Sequence, residues 1–180
     1  QAQVQSYLNR ARIAAQRDSI LARTEAEPAL ERLVRVMRRL NADKEFQLVI
    51  EPSHLALAME QQDVEETVGN LLENAARFAR HQVKISAVAA PPDVKGSDPA
   101  RRSWIELTVE DDGPGLDADQ ISEAMKRGRR LDESKPGTGL GLSIVREITS
   151  EYHGLVELSR GQAGGLKARL ILPAVTKDVA

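Results

Sequence analysis

The chain contains no cysteine, which excludes disulfide scaffolds, cysteine-based zinc sites and thiol nucleophiles. Aromatic residues make up only 3%, too few for a surface that stacks nucleic-acid bases. Charge of one sign is missing as well: 25 Lys+Arg stand against 27 Asp+Glu, a formal net charge of −2. No global field draws such a chain to nucleic acid, and no nucleic-acid partner is expected. No run approaches the ~18 apolar residues that a membrane-crossing helix needs. What is present is an ordinary globular mix, 41% apolar and 29% charged over 180 residues. That suffices for one domain with a sizeable core, plus a small extra element. The first residue is Gln1 rather than Met, and the expectation is a piece of a longer protein.

Val4, Leu8, Ala11 and Ala15 recur at helical spacing over residues 1–23, among Arg10, Arg12, Arg17 and Arg23. Their apolar seam is thin and needs a facing helix to bury it. Residues 24–28 break this helix, and Pro28 suits the first turn of the next. Leu30, Leu33, Val34, Met37 and Leu40 then mark one face through Asn41. Residues 46–50 and 55–59 read as short strands, the first ended by Pro52. Residues 60–80 form the clearest helix, with Val64, Val68, Leu71, Ala75 and either Phe78 or Ala79 in one stripe. Residues 83–89 and 105–109 alternate as strands around a polar loop over 91–101. A short helix over 117–125, an aperiodic basic loop over 126–139 and a helix over 140–152 follow. Residues 155–158 and 166–172 are the last strands, and 174–180 a tail. Strand pairs with helices between them predict an α+β two-layer sandwich rather than a doubly wound sheet.

Three segments could carry chemistry. Asn70, Asn74 and Arg77 project from one helix face bordering the Leu71/Ala75 stripe. Asn is a poor helix former, and its amide oxygen is a hard ligand that suits Mg²⁺. Incidental asparagines on a polar face are the alternative. Next, Asp111-Asp112-Gly113-Pro114-Gly115 closes a strand. A carboxylate there can accept from an amine while glycines admit a ligand close to the backbone; a plain turn is the alternative. Last, Gly137-Thr138-Gly139-Leu140-Gly141-Leu142 leads into a helix, and glycine-rich backbone before a helix N-terminus cradles phosphate. The basic loop ahead of it carries Lys126, Arg127, Arg129, Arg130 and Lys135, which suit an anionic ligand or simply a solvated face. No Walker spacing follows. His54, His81 and His153 share no ligand spacing, and Trp104 is expected to pack on the sheet.

Together and in this order, residues 70–78 (NLLENAARF), 111–116 (DDGPGL) and 137–148 (GTGLGLSIVREI) resemble the ATP-binding catalytic domain of bacterial sensor histidine kinases. That domain belongs to a superfamily shared with gyrase and MutL. The likeness spans roughly 28–173, with Gly164-Gly165 matching the family's closing glycines. The pieces VEDDGPGL, RGRRLDESKPGTGLGLSIVREI and EYHG are most similar to PhoQ-type kinases. The resemblance implies a mixed, mostly antiparallel sheet with helices on one face, and ATP held between a helix pair and a lid. It makes Asn74 the Mg²⁺ ligand, Asn70 a support for the phosphates, Arg77 the basic phosphate contact and Phe78 the aromatic near the nucleotide. Asp111 becomes the adenine reader, accepting from the N6 amine, with Gly113 and Gly115 leaving room for the base. Residues 126–139 become the lid. Its Arg127, Arg130 and Lys135 would draw in on the triphosphate, and Arg130 would join Asn70 and Asn74 at the transferring phosphoryl. Gly137, Thr138, Gly139, Leu140, Gly141 and Leu142 become the phosphate-binding end.

Three departures stand out. Ala124-Met125-Lys126 occupies the place of the family's phenylalanine-rich segment, and Lys167-Ala168 replaces the threonine that often follows the last glycines. No His-Glu/Asp-x-x-x-Pro phosphoacceptor occurs. Residues 1–23 resemble the second helix of the dimerisation hairpin, so the acceptor histidine is expected upstream of Gln1. The implied activity is transfer of the ATP γ-phosphoryl to that histidine, in two-component signalling. Implied partners are the chain's own dimerisation domain, a second copy in a homodimer and a response-regulator receiver domain. The implied location is the cytoplasmic part of an inner-membrane sensor. A gyrase-type ATPase and a non-catalytic nucleotide switch are the alternatives. Gyrase-type relatives put Glu where Asn70 stands, and Asn cannot act as a general base.

Overall fold

The computed structural model describes residues 22–101, 103–126 and 141–176. The helix expected over 1–23 lies outside these apart from its last two residues, as do all of the basic loop except Lys126 and residues 177–180. In order the elements are β1 (Thr24–Glu25), α1 (Ala26–Leu40), β2 (Glu45–Glu51), β3 (Ala56–Leu57), α2 (Gln61–Phe78) and β4 (Gln82–Ala89). Then come β5 (Trp104–Asp111), α3 (Ala118–Ala124), α4 (Gly141–Glu151), β6 (Leu155–Arg160) and β7 (Leu166–Pro173).

The main sheet has the order β2-β4-β5-β7-β6. Only β2 and β4 run parallel; the other three pairings are antiparallel. This is the expected mixed, mostly antiparallel sheet. Alternation decides which side is buried: Val83, Ile85, Ala87, Ile105, Leu107, Val109, Ala168, Leu170 and Leu172 share one core with the helices. Helix α1 contributes Leu30, Val34 and Met37, α2 contributes Val64, Val68, Leu71 and Leu72, and α4 contributes Val145 and Ile148. Val68 and Leu72 are fully buried, and cutting such a side chain to Ala costs ~2–5 kcal/mol for Leu. Glu27 in the first turn of α1 and Arg38 and Arg39 in its last turn match the helix dipole. Asn41 ends that helix by donating Nδ2 to the Met37 carbonyl at 3.0 Å.

The opposite face is polar across its middle. There Ser86 and Thr108 share a hydrogen bond, and Arg169 bridges Glu106 at 3.0 Å and Glu157 at 3.1 Å. Toward the other end Trp104 and Ile171 are buried outside the main core. The loop after β4 folds over them: a Cβ on Gly96 would fall 2.2 Å from the Trp104 ring, and Ser97 N–H donates to the His153 carbonyl at 2.7 Å. Trp104 thus packs on the sheet as expected, but on the side away from the helices.

The sequence boundaries shift at both ends of the fold. Residues 24–28 are not merely a break. Thr24 and Glu25 pair antiparallel with Leu57 and Ala56, and Thr24 Oγ1 donates to the Met59 carbonyl at 2.8 Å. Nor does the domain stop at Pro173. Ala174 bridges Leu57, and Val175 N–H donates to the Ala56 carbonyl at 2.9 Å. Both stretches are short and draw their order from distant partners, so no local periodicity announces them.

Candidate functional site

The 18 residues of α2 bury a stripe running from Val64 to Ala76. That packing sets Asn70 and Asn74, both half-buried, beside the core. Asn70 Nδ2 donates to the Glu66 carbonyl at 2.7 Å, which turns its Oδ1 outward. A Cβ on Gly141 would lie 3.3 Å from that oxygen. The first residue of α4 therefore meets Asn70 face to face, and the N-terminus of that helix stands beside the Asn70 amide. Leu142 follows and packs partly against the core. A helix N-terminus beside an amide oxygen has the chemistry to suit an anion accompanied by a hard cation.

Arg77 behaves differently. It is exposed and lines a groove of about 350 Å³ with Met37, Leu40, Asn41, Glu73 and Ala76, between α2 and the end of α1.

The second motif meets the same helix at its C-terminal end. Asp112 Oδ1 accepts from Arg80 N–H at 2.8 Å and His81 N–H at 3.0 Å, tying the exit of β5 to the exit of α2. Burial pushes this carboxyl up, but backbone groups of His81, Gln82 and Arg80 outweigh it and hold the group below its ordinary value. A Cβ on Gly113 would fall 2.3 Å from the Phe78 carbonyl. Only glycine lets the two segments come this close, and Phe78, half-buried, is thereby set beside the Asp111 loop.

Asp111 points to the helix side and is 3% exposed. Its Oδ1 accepts from Gly113 N–H at 2.8 Å and from Leu166 N–H at 3.4 Å. A Cβ on Gly165 would fall 2.0 Å from the Asp111 carbonyl oxygen and 2.4 Å from Oδ1, so the closing glycines are packed onto this residue. Gly115, at φ +69°, lies against the Gly164 carbonyl. Burial raises the Asp111 carboxyl, Gly113 and Leu166 N–H oppose the rise, and Asp112 and Glu110 add to it. The second oxygen, Oδ2, takes no hydrogen bond among the described residues.

A capping box at Asp117 and Gln120 starts α3. Its far end is anchored without phenylalanine. Ala124 is buried, Met125 packs on the core, and Arg146 of α4 donates to the Met125 carbonyl. The departure at residues 124–126 is thus offset by a side chain from the next helix.

The structure brings together Asn70 and Gly141 at one end, with Asn74 one turn further along α2, and Phe78, Asp111, Gly113 and Gly115 at the other. Arg127, Arg130, Lys135, Gly137, Thr138, Gly139 and Leu140 lie outside the described residues. Sequence reasoning missed Asp112 and Arg146, whose partners are backbone groups remote in sequence and leave no spacing signal. No group of three or more His, Asp or Glu side chains suited to a metal occurs among the described residues. An ion here would draw its ligands from amide oxygen and from whatever it accompanies. Mg²⁺ is bound in this way, through one or two protein ligands plus phosphate oxygens and water.

Residues 59–176 match the family of histidine kinase-, DNA gyrase B- and HSP90-like ATPases. The sensor protein PhoQ of Escherichia coli is 30% identical over 173 residues, 94% of this chain and 33% of PhoQ. The sensor protein kinase CarS of Pseudomonas aeruginosa is 35% identical over 122 residues, 68% of this chain and 25% of CarS. The chain thus spans a quarter to a third of the length of these relatives. Among solved structures, the histidine kinase domain of the E. coli osmosensor EnvZ superposes with a TM-score of 0.63 at 25% identity, over 89% of this chain and 92% of that one. The mycobacterial sensor histidine kinase MprB shares the fold with a TM-score of 0.67 at 22% identity, over 84% and 96%. The chain belongs to the histidine kinase-, DNA gyrase B- and HSP90-like ATPase family, and it carries an ATP-binding catalytic domain of the sensor histidine kinase type.

Proposed function

We propose that this domain holds ATP with its adenine at Asp111 and its phosphates at Asn70, Asn74 and the N-terminus of α4, and delivers the γ-phosphoryl to a histidine of a dimerisation hairpin. The observation that carries the reading is the state of Asp111. It is a buried carboxylate with one oxygen held by backbone N–H groups and the other left to accept a ligand's amine. Adenine offers that amine; guanine offers a carbonyl, and two acceptors would then face each other. Asn74 is the proposed Mg²⁺ ligand, and the ion would neutralise charge on the phosphates. Asn70 supports the phosphates. Neither amide can take a proton from water, which favours transfer over hydrolysis. The domain's work is positioning and charge neutralisation. Arg127, Arg130 and Lys135 are proposed to close on the triphosphate, with Gly137 to Leu142 as its cradle. Arg77, exposed beside the groove that α2 forms with α1, is the proposed basic contact with the phosphates.

The proposed partners are the protein's own dimerisation domain, with residues 1–23 as its second helix, a second copy in a homodimer, and a receiver domain. The proposed setting is the cytoplasmic side of a membrane sensor, where ATP is supplied. No helix among the described residues is long and apolar enough to cross a membrane.

The test is radiolabelled ATP, given first to the chain alone and then with a separate hairpin carrying the acceptor histidine. Acid-labile label is expected on the hairpin and not on the chain, whose His54, His81 and His153 lack the flanking acid and proline. Hydrolysis without transfer would favour the ATPase alternative, and binding with neither would favour a nucleotide switch.

A further inference from the structure

Helices α2 and α4 pack antiparallel: Asn70 meets Gly141 at one end of the seam, and Asp63 meets Tyr152 at the other. The Tyr152 hydroxyl donates to Asp63 Oδ2 at 2.6 Å and accepts from Glu60 N–H at 3.4 Å. Asp63 is fully buried, in the first turn of α2. Thr67, one turn on, and Thr149, just before Tyr152, are 0% and 1% exposed. This stretch of the helix seam is therefore polar where an apolar one would pack more cheaply. A carboxylate taken from water and paired with a tyrosine hydroxyl is a poor device for stability, since desolvation cancels much of its attraction. It is a good device for register, because only one alignment of the helices lets it find its donor.

We propose that Asp63 and Tyr152 are positioning residues, which set α4 against α2 and thereby fix where the α4 N-terminus stands relative to Asn70 and Asn74. The proposal rests on the nucleotide-binding reading given above. Asp63 lies seven residues before Asn70, ~10 Å along the helix, and Tyr152 lies eleven residues after Gly141, ~16 Å. Both are too far to touch a phosphate. They act through the helices. A displacement of about 1 Å between phosphate-holding groups and the reacting atoms can cost up to ~100-fold in rate. The adenine end hangs on β5, Gly113 and Gly165, which the pair does not touch.

The experiment compares Tyr152→Phe, Asp63→Ala and Asp63→Asn in the full chain. It measures ADP affinity by titration and kcat for transfer to the supplied hairpin, below the melting temperature of each variant. Tyr152→Phe and Asp63→Ala are expected to lower kcat ~10- to 100-fold with ADP affinity kept within about twofold. Asp63→Asn keeps an oxygen that accepts from the tyrosine, and is expected to restore kcat to within about threefold of the parent. A lowered melting temperature with unchanged kcat would overturn the proposal, as would ADP affinity falling in step with rate. Failure of both Tyr152→Phe and Asp63→Ala to fold would overturn it too, by making the pair a fold element. The parent chain separates the two readings: if it neither binds ADP nor transfers phosphoryl, the nucleotide reading fails, whereas a parent that transfers alongside equally active variants fails the positioning proposal alone.

Discussion

At the β5 end of the site one carboxylate, Asp111, sits almost out of reach of water, with its backbone donors in place before any ligand arrives. At the α2–α4 end the groups are neutral amides and a helix terminus, half open to solvent. In the proposed reading the contrast follows from what each end would do. Selecting a base requires one acceptor aimed at one amine, and a rigid buried group rejects a wrong partner by leaving it unbonded. Holding a triphosphate requires no negative charge from the protein, and neutral ligands leave the ligand's own charge to a cation and to basic residues. The same division appears between neighbours. Asp111 and Asp112 are adjacent, yet burial raises one carboxyl while backbone donors lower the other. One is kept for a ligand and the other closes a loop.

The phosphate end should be the more costly to break for chemistry. Asn74→Ala is expected to reduce transfer to a supplied histidine ~100- to 1,000-fold, on the scale of losing one preorganised charge-stabilising group. Its melting curve should stay close to the parent's, because the half-buried side chain borders the core without filling it. Normal transfer kinetics would remove Asn74 as the ligand.

The base end should trade affinity against stability. Asp111→Asn keeps an oxygen for Gly113 and Leu166 but presents an NH₂ where the carboxylate presents an acceptor. ATP affinity should fall ~10- to 150-fold, the equivalent of losing a charged hydrogen bond worth ~1.5–3 kcal/mol. The fold should gain. Because burial raises the folded value above the ordinary 3.8, Asp111 favours folding most below 3.8 and loses that contribution as pH rises through the folded value. The melting advantage of Asp111→Asn should therefore be larger at pH 7 than at pH 3.5. Equal ATP and GTP affinity in the parent would sink the base-reader role.

Asp112 should show the opposite sign and a smaller effect. Its folded value lies below the ordinary one, so its stabilisation is present above 3.8 and is lost as pH falls through the folded value. Asp112→Ala is expected to cost ~0.5–1.5 kcal/mol near neutrality, with the gap closing in acid. A pH-independent gap would mean that its charge contributes nothing to the loop closure.

Arg77 marks the weakest expected effect. Exposed at the groove beside α1, it should change ATP affinity no more than about twofold on replacement by Ala, the scale of an ordinary surface substitution. A loss above tenfold would show that the side chain leaves its groove for the phosphates.

What could be read in advance depended on whether a feature is written locally. The stripe from Val64 to Ala75 predicted a helix over 60–80, found at Gln61–Phe78. The alternation around Leu107 predicted a strand over 105–109, found at Trp104–Asp111. Asn70 and Asn74 stand out because two aligned asparagines fit a helix interior poorly, and Asp111 because its glycine-rich strand end joins the other motifs in resembling the family. Asp112, Arg146 and the Asp63–Tyr152 pair do not, since each is explained only by a group tens of residues away. Trp104 was expected on the sheet, but which face it takes depends on an excursion that comes back over it, and no periodicity encodes that. Arg77 shares a helix face with Asn74 by spacing, yet the neighbouring end of α1 supplies a competing surface for a long side chain.

The short pairing of residues 55–59 has a consequence for how the domain can be joined to others. Thr24 lies on one side of Leu57 and Ala174 on the other. With ~4.8 Å between neighbouring strands, Thr24 and Ala174 stand about 10 Å apart. A few residues would close that gap, so the domain should survive circular permutation with new ends opened in the loop over 91–101. It is built as a cassette, with both leads at one socket. Any movement of the chain entering at residues 22–23 is applied where Ala58 and Met59 lead into α2, directly at the base of the helix that carries both asparagines.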